Sequence, residues 1–203
     1  MRGKFIVIEG LDGSGKSTQA KRLAENLSSK DSLLTREPTG ENIGSLVRAA
    51  FSSQISMQNS SILLLLIADR IEHLADVVEP ALKSGRDVVC DRYYLSNIAY
   101  QARDDKHMHE IYSLNKKFGA LKPDLTIFLS LAPSTAMERI KSRNMDKSIF
   151  EEFKTLERIN TNYMKAIELL KSQGENVAEI SATSDEDTIA AEILETVRSL
   201  NES

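Results

Sequence analysis

The sequence predicts an α/β fold in which helices flank a parallel sheet. Short apolar runs alternate with longer segments of helical period, which is typical of parallel strands joined by crossover helices. The 203 residues are 41% hydrophobic and 28% charged, which is enough to bury a sizeable core. Because no repeat and no Ser/Gly-rich linker divides the sequence, we expect a single domain over residues 1–203.

The apolar runs are the predicted strands. Residues 5–8 are uniformly apolar and are followed by Gly10, so we expect a buried strand at the centre of the sheet. The remaining candidates lie at residues 32–35, 87–90, 125–129 and, more weakly, 176–180.

Predicted helices occupy the segments between these runs. They start near Lys16, Asn42, Gln58, Tyr93, Pro133, Phe150 and Asp185. The helix predicted over residues 58–83 contains Pro80, which has no backbone N–H to donate and is expected to kink it. Gly85 follows that helix and is predicted to cap its C-terminus.

The strongest motif is EGLDGSGKST at residues 9–18, which contains the phosphate-loop pattern G-x-x-x-x-G-K-[ST]. It follows an apolar strand and opens a helix, which is the context that the motif requires. Backbone N–H groups of such a loop converge on phosphate oxygens, so side chains at Gly13 or Gly15 would obstruct the anion or strain the loop. The predicted phosphate-binding residues are Gly10, Asp12, Gly13, Ser14, Gly15, Lys16, Ser17 and Thr18.

Two side chains of this region point to a nucleotide with Mg²⁺. Lys16 is expected to reach the β and γ phosphates, while the hydroxyl of Ser17 ligates the metal. Asp91 ends the third apolar run and should lie beside the loop, where its carboxylate can hold Mg²⁺ or its water ligands. Asp91 could also cap the next helix, and the two roles are compatible.

The residues around this site separate classes of phosphate-loop protein. A GTPase should carry N-K-x-D, but the Asn–Lys pair at residues 115–116 is followed by Lys117 and Phe118. Motor-type ATPases usually place Glu after the metal-binding Asp, whereas Arg92 follows Asp91 here. An arginine at that point suits the binding of a second phosphate. We therefore expect the acceptor molecule to carry a phosphate group of its own before the transfer. A nucleotide-dependent switch or ATPase is the alternative from another class.

Charge and hydropathy exclude other functions. The net charge is −4 and the basic residues are scattered, which argues against a nucleic-acid or membrane-surface binder. The longest apolar run, residues 62–68, is far shorter than the roughly 20 residues that span a bilayer. This run is apolar all round a helix, so a core or a dimer interface should cover it. The single cysteine, Cys90, excludes an internal disulfide and fits a cytoplasmic protein.

Four segments together resemble the thymidylate kinase family: EGLDGSGKSTQ, TREPT, DRYYLSNIAYQ and a basic stretch at residues 139–149. The similarity runs in order from Lys4 to about Glu186. It implies a phosphate-loop kinase fold with a five-stranded parallel sheet and a small lid at about residues 139–149. It also implies a cytoplasmic homodimer that uses ATP and Mg²⁺ to convert dTMP to dTDP. The same chemistry on dUMP or UMP is the nearest alternative.

The resemblance further implies the residues that bind dTMP. Arg36 and Arg92 match the arginines that hold the acceptor phosphate, and Asp12 matches the carboxylate that accepts a hydrogen bond from the 3′-hydroxyl. A guanidinium suits this task because its planar fork binds phosphate oxygens in pairs. The residues that match the lining of the base and sugar are Arg70, Asn97, Tyr100 and Gln101.

The sequence departs from the family at two positions. Leu66 stands where most relatives have a Phe that stacks on thymine. Gly13 stands where one subgroup carries a catalytic arginine, so the transition-state cation is expected from the lid. Lys147 occupies the lid-arginine position, with Arg139 and Arg143 upstream. The predicted catalytic residues are therefore Lys16, Asp91, Arg92, Arg143 and Lys147.

Overall fold

A five-stranded parallel sheet forms the centre of the fold in a computed structural model that describes residues 2–27, 32–142 and 149–200. The strands are β1 (Phe5–Gly10), β2 (Leu33–Arg36), β3 (Val88–Asp91), β4 (Leu125–Ser130) and β5 (Val177–Ser181). Their spatial order is β2-β3-β1-β4-β5, so the first strand is central, as the uniformly apolar run predicts. The predicted α/β class and the parallel sheet are confirmed.

Helices connect and cover these strands. They are α1 (Lys16–Asn26), α2 (Asn42–Phe51), α3 (Asn59–His73), α4 (Glu79–Lys83), α5 (Tyr94–Gln101), α6 (Asp105–Lys117), α7 (Pro133–Lys141), α8 (Ile149–Ser172) and α9 (Glu186–Ser199). Every predicted helix start lies within one residue of an observed one. The sequence analysis missed α6, although Asp104 caps its N-terminus by accepting a hydrogen bond from the His107 N–H at 2.8 Å.

The helix predicted over residues 58–83 is interrupted, as expected from Pro80. Between α3 and α4 lies a π-helical stretch, Leu74–Val78, where the N–H of Glu79 donates to the carbonyl of Leu74. Proline cannot continue the regular ladder, and the wide turn accommodates the break just before it. Gly85 follows α4 with φ +85°, which agrees with the predicted cap.

Parallel pairing brings three strand ends to one edge of the sheet. In register, Asp91 of β3 lies beside Ile8 of β1 on one side and Arg36 of β2 on the other. Ligands of open α/β sheets bind at the carboxyl ends of the strands. The sheet therefore places Arg36 and Asp91 beside the loop that follows Gly10.

The apolar run at residues 62–68 is buried on one side of α3 within a single chain. Leu63 and Ile67 are 7% and 4% exposed, whereas Leu64 is 55% exposed. Ile71, one heptad after Leu64, is 39% exposed, so an apolar stripe of α3 faces outward. Within the described parts of the chain, no helix has the length and apolar character needed to cross a membrane.

Candidate active site

The phosphate loop curls between β1 and α1 through two glycines in the left-handed region. Gly13 and Gly15 have φ values of +85° and +87°, which favour glycine. A Cβ at Gly13 would also lie 2.9 Å from the carbonyl oxygen of Ala136. The N–H of Ser14 donates to the carbonyl of Leu11 at 3.1 Å, which closes the loop. The N-terminus of α1, with its free N–H groups, is thereby presented to an anion.

Lys16 is held inside this loop. The residue is 6% exposed, and Nζ donates to the Leu11 carbonyl and to Asp12 Oδ1, both at 3.2 Å. Burial lowers the pKa of Lys16, and repulsion from Arg92 adds to that effect. Negatively charged phosphate oxygens would stabilise the ammonium form, so the surroundings favour an anion next to Lys16.

Ser17 and Asp91 form an oxygen-rich pair next to the loop. The Ser17 hydroxyl donates to Asp91 Oδ2 at 2.5 Å. The other oxygen, Asp91 Oδ1, is buried and has no hydrogen-bond partner within the described residues. Such a donor set fits Mg²⁺, which is commonly bound through one or two carboxylates together with substrate phosphates.

A cavity of about 530 Å³ opens beside the phosphate loop. The structure brings all eight residues predicted to bind dTMP to its walls: Asp12, Arg36, Leu66, Arg70, Arg92, Asn97, Tyr100 and Gln101. Its size falls in the range of small-molecule sites. The walls also include residues that sequence reasoning missed, namely Glu37, Pro38, Arg48, Phe51, Ser52, Tyr93 and Ser96.

Two of the arginines that line the cavity, Arg92 and Arg36, are the residues predicted to hold the acceptor phosphate. Arg92 pairs with Asp12, and the Tyr100 hydroxyl donates to the same carboxylate at 3.0 Å. Burial alone would raise the pKa of Asp12, but the charges of Arg92 and Lys16 hold it well below its ordinary value. Burial raises the pKa of Tyr100 to about 12, so its hydroxyl remains a donor at neutral pH. Arg36 is exposed, and its side chain pairs with no group that the structure describes.

Arg92 adopts a left-handed backbone, with φ +73°, that neighbouring groups hold in place. Glu9 is fully buried, and its Oε1 accepts hydrogen bonds from the N–H groups of Tyr93 at 2.8 Å and Ser96 at 3.0 Å. Ser96 Oγ accepts from Arg92 Nη1 at 3.1 Å. Burial raises the pKa of Glu9. An acidic residue inside an otherwise apolar strand is the signal that sequence reasoning overlooked.

The other end of the cavity is organised around Arg70, which is 2% exposed. Its Nε and Nη2 donate to Glu37 Oε2 at 2.8 and 2.6 Å, and its guanidinium lies 4.6 Å from the ring centroid of Tyr93. His73 Nδ1 lies 3.0 Å from Glu37 Oε1. Arg70 therefore has a fixed orientation at the cavity wall. Sequence reasoning missed Glu37, although it lies inside the TREPT segment.

The apolar wall combines one aliphatic and one aromatic side chain. Leu66 of α3 is 8% exposed, while Phe51 of α2 is 54% exposed. The other two aromatic rings of the wall each lie against an arginine: Tyr93 against Arg70 and Tyr100 against Arg92. Phe51 therefore presents an accessible ring to the cavity, which the sequence analysis did not foresee.

The predicted lid falls largely beyond the residues that the structure describes. Arg143 and Lys147 both lie outside the described ranges. Arg139, on α7, donates to the Gly13 carbonyl at 3.4 Å and to the Ala182 carbonyl at 3.0 Å. This arginine thus lies against the phosphate loop.

Comparison with known proteins agrees with these features. The thymidylate kinase family model matches residues 8–193. A probable thymidylate kinase of Pyrococcus horikoshii is 40% identical over 177 residues, covering 83% of this chain and 85% of the relative. A probable thymidylate kinase of Methanocaldococcus jannaschii is 40% identical over 164 residues, covering 81% of each. A thymidylate kinase of Desulfotalea psychrophila is 38% identical over 162 residues, covering 78% and 79%. With a match of this extent across the loop, the arginines and the cavity, the chain belongs to the thymidylate kinase family.

Proposed function

We propose that this kinase transfers the γ-phosphoryl group of ATP to dTMP, yielding ADP and dTDP for dTTP synthesis. The observation that carries the proposal is the cavity beside the phosphate loop. Arg36 and Arg92 line it together with Asp12 of the loop, and the rest of its wall contains polar and apolar side chains suited to a base. A switch or simple ATPase has no need for such a second phosphate site.

The proposed mechanism depends on positioning and charge neutralisation. The loop and Lys16 bind the β and γ phosphates, while Arg36 and Arg92 hold the acceptor phosphate. An acceptor oxygen attacks the γ-phosphorus, the bond to the β–γ bridging oxygen breaks, and its electron pair leaves with ADP. Ser17 and Asp91 would hold Mg²⁺, which supplies charge neutralisation to the phosphates when bound. We propose that a lid cation, Arg143 or Lys147, completes the site.

Coupled measurement of ADP release tests this function. ATP and Mg²⁺ are supplied with dTMP, dUMP, UMP or dCMP in turn, or without an acceptor. We expect the highest kcat/KM with dTMP. dUMP should also react, but more slowly, because the methyl group that it lacks is worth only about 1–3 kcal/mol in an apolar pocket. Equally rapid ADP release without any acceptor would overturn the proposal in favour of an ATPase.

Phe51 is our candidate for the aromatic contact with the base. Leucine at position 66 offers apolar contact but no π-face. We expect Phe51→Ala to raise the KM for dTMP by about tenfold, since a stack of base on aromatic ring is worth about 1–3 kcal/mol. The KM for ATP should not change. Phe118→Ala is the matched control, because Phe118 is 48% exposed and does not line the cavity. Equal effects of the two variants would exclude a base contact for Phe51.

We further propose a homodimer that covers the outward apolar stripe of α3. Leu64 and Ile71 leave large apolar surface in contact with solvent in one chain, which is typical of an interaction surface. Sedimentation velocity should give twice the mass of one chain. Leu64→Glu should give the monomer mass, while Phe118→Glu should remain dimeric. A monomeric wild type would contradict the proposal.

We also propose that residues 1–203 act as one kinase domain in the cytoplasm, with the lid at about residues 139–149. The supporting observation for the compartment is Cys90, the single cysteine of the sequence, which is buried and unpaired. A protein without disulfides suits a reducing environment.

A further inference from the structure

Asn115 of α6 connects two residues of the cavity wall. The residue is buried, with 1% of its surface exposed. Arg70 Nη1 donates to Asn115 Oδ1. Asn115 Nδ2 donates to the Ile111 carbonyl at 2.8 Å and to Asn97 Oδ1 at 3.2 Å. A buried amide thus joins the guanidinium at one end of the cavity to an amide on α5.

The chemistry of these partners allows one orientation of each amide. A guanidinium can only donate and a backbone carbonyl can only accept, so Asn115 must direct its oxygen to Arg70 and its nitrogen to Ile111. That nitrogen also faces Asn97, so Asn97 must accept the hydrogen bond through its side-chain oxygen. Asn97 Nδ2 is then left as the free end of the chain of hydrogen bonds. It is buried, and it has no hydrogen-bond partner within the described ranges.

We propose that Asn115 is a positioning residue for base selection, because it holds Arg70 and Asn97 as hydrogen-bond donors toward the base. The inference rests on the proposed function and adds to it a residue that orients the side chains facing the base. Thymine and uracil carry a carbonyl at C4, which accepts hydrogen bonds, whereas cytosine carries an amino group there. A cytosine amino group would meet donors and leave them unsatisfied, and unsatisfied buried donors weaken binding. Asn115 would therefore support the preference of the site for 4-oxo over 4-amino pyrimidines.

Packing alone does not call for an amide at position 115. The neighbouring buried positions of α6, Met108 and Ile111, are apolar, and a leucine has the same number and branching of side-chain heavy atoms as asparagine. Glu37 already fixes one side of the Arg70 guanidinium through two donors. What the Asn115 amide adds is a link that orients Arg70 and Asn97 together.

The test replaces the amide by a carboxylate. In Asn115→Asp, the side chain still accepts from Arg70 but cannot donate to Asn97, so the Asn97 amide turns its nitrogen to the carboxylate and its oxygen to the cavity. We expect kcat/KM to fall for dTMP and to rise for dCMP, lowering their ratio by about tenfold or more. A residue that only stabilised the fold would lower both together and leave the ratio unchanged.

Asn162→Asp is the matched control. Asn162 donates to the carbonyls of Ala99 at 2.9 Å and Ala102 at 3.1 Å, so the same substitution acts on the end of the same helix, α5, away from the cavity. It should reduce the melting temperature without changing the dTMP to dCMP ratio. The KM for ATP should be unaffected in both variants.

Direct titration separates a failure of the proposed kinase function from a failure of the proposed role of Asn115. Calorimetric titration of dTMP and of dCMP measures base preference whether or not phosphate is transferred, so a failed kinase assay contradicts the proposed function alone. Asn115→Leu removes both the amide donor and the amide acceptor without adding charge. It replaces Asn115→Asp in the experiment if the aspartate variant does not fold. It should lose most of the preference for dTMP. A folded Asn115 variant that keeps the wild-type preference would overturn the role of Asn115.

Discussion

Lys16→Ala should reduce kcat by about a hundredfold to a thousandfold, in line with the removal of a preorganised charge contact to a reacting group. Lys16 is the cation that the phosphate loop holds between β1 and α1, and its ammonium contacts Leu11 and Asp12 rather than the apolar core. The variant should therefore fold normally. Single-turnover kinetics with ATP and dTMP measures the loss, and circular dichroism measures the fold.

Lys21→Ala is the matched control for that experiment. Lys21 lies on the same helix with its side chain 68% exposed, and its ion pair with Glu25, at 3.8 Å, is a surface contact of little energetic consequence. It should keep wild-type activity. A normally folded Lys16→Ala protein that retained more than about a tenth of wild-type kcat would place Lys16 away from the transferred phosphate.

Arg36→Ala and Arg92→Ala should each raise the KM for dTMP or lower kcat by about tenfold to a hundredfold, since each removes a charge-assisted phosphate contact. The affinity for ATP should change far less. Arg36 gives the cleaner measurement, because its side chain has no partner among the described residues that the mutation would release. Loss of Arg92 also releases Asp12 and Ser96.

Arg103→Ala provides the comparison for both arginines, because Arg103 is exposed and does not line the cavity. Titration of ATP and dTMP into each variant separates the two phosphate sites. Weaker ATP binding with unaltered dTMP binding would mean that the donor and acceptor ends of the site are the reverse of those proposed here.

The fold was predictable because its signals are local. The apolar strands, the glycines of the phosphate loop and Pro80 each act within a few residues of their own position. Helix α6 escaped prediction because its buried stripe is narrow and includes a polar residue, Asn115, within a polar segment. Its N-cap, Asp104, was the one clear local signal.

Residues of the candidate site could be predicted where the residue type itself implies a ligand. Residues whose role is to hold another side chain in place could not be predicted. Arginines suited to phosphate were found in the sequence, and the structure places them in one cavity. Their supporting partners lie far away along the chain: Glu37 is 33 residues from Arg70, Asn115 is 45 residues from it, and Glu9 is 84 residues from Tyr93. A single sequence carries no pattern that links such positions.

The left-handed backbone of Arg92 distinguishes it from Arg36, the other arginine that we propose to hold the acceptor phosphate. Holding a non-glycine residue at such a φ costs about 1–3 kcal/mol, and the hydrogen bonds that the N–H groups of Tyr93 and Ser96 donate to Glu9 offset this cost. In the proposed site, Arg92 would thus be preorganised before dTMP binds and would lose little conformational freedom on binding. Arg36 is exposed and its side chain has no partner among the described residues, so it would lose up to about 2 kcal/mol of side-chain entropy on binding the phosphate. In the proposed site, Arg92 would therefore hold the acceptor phosphate in a fixed position, while Arg36 would adjust its side chain to reach the same phosphate.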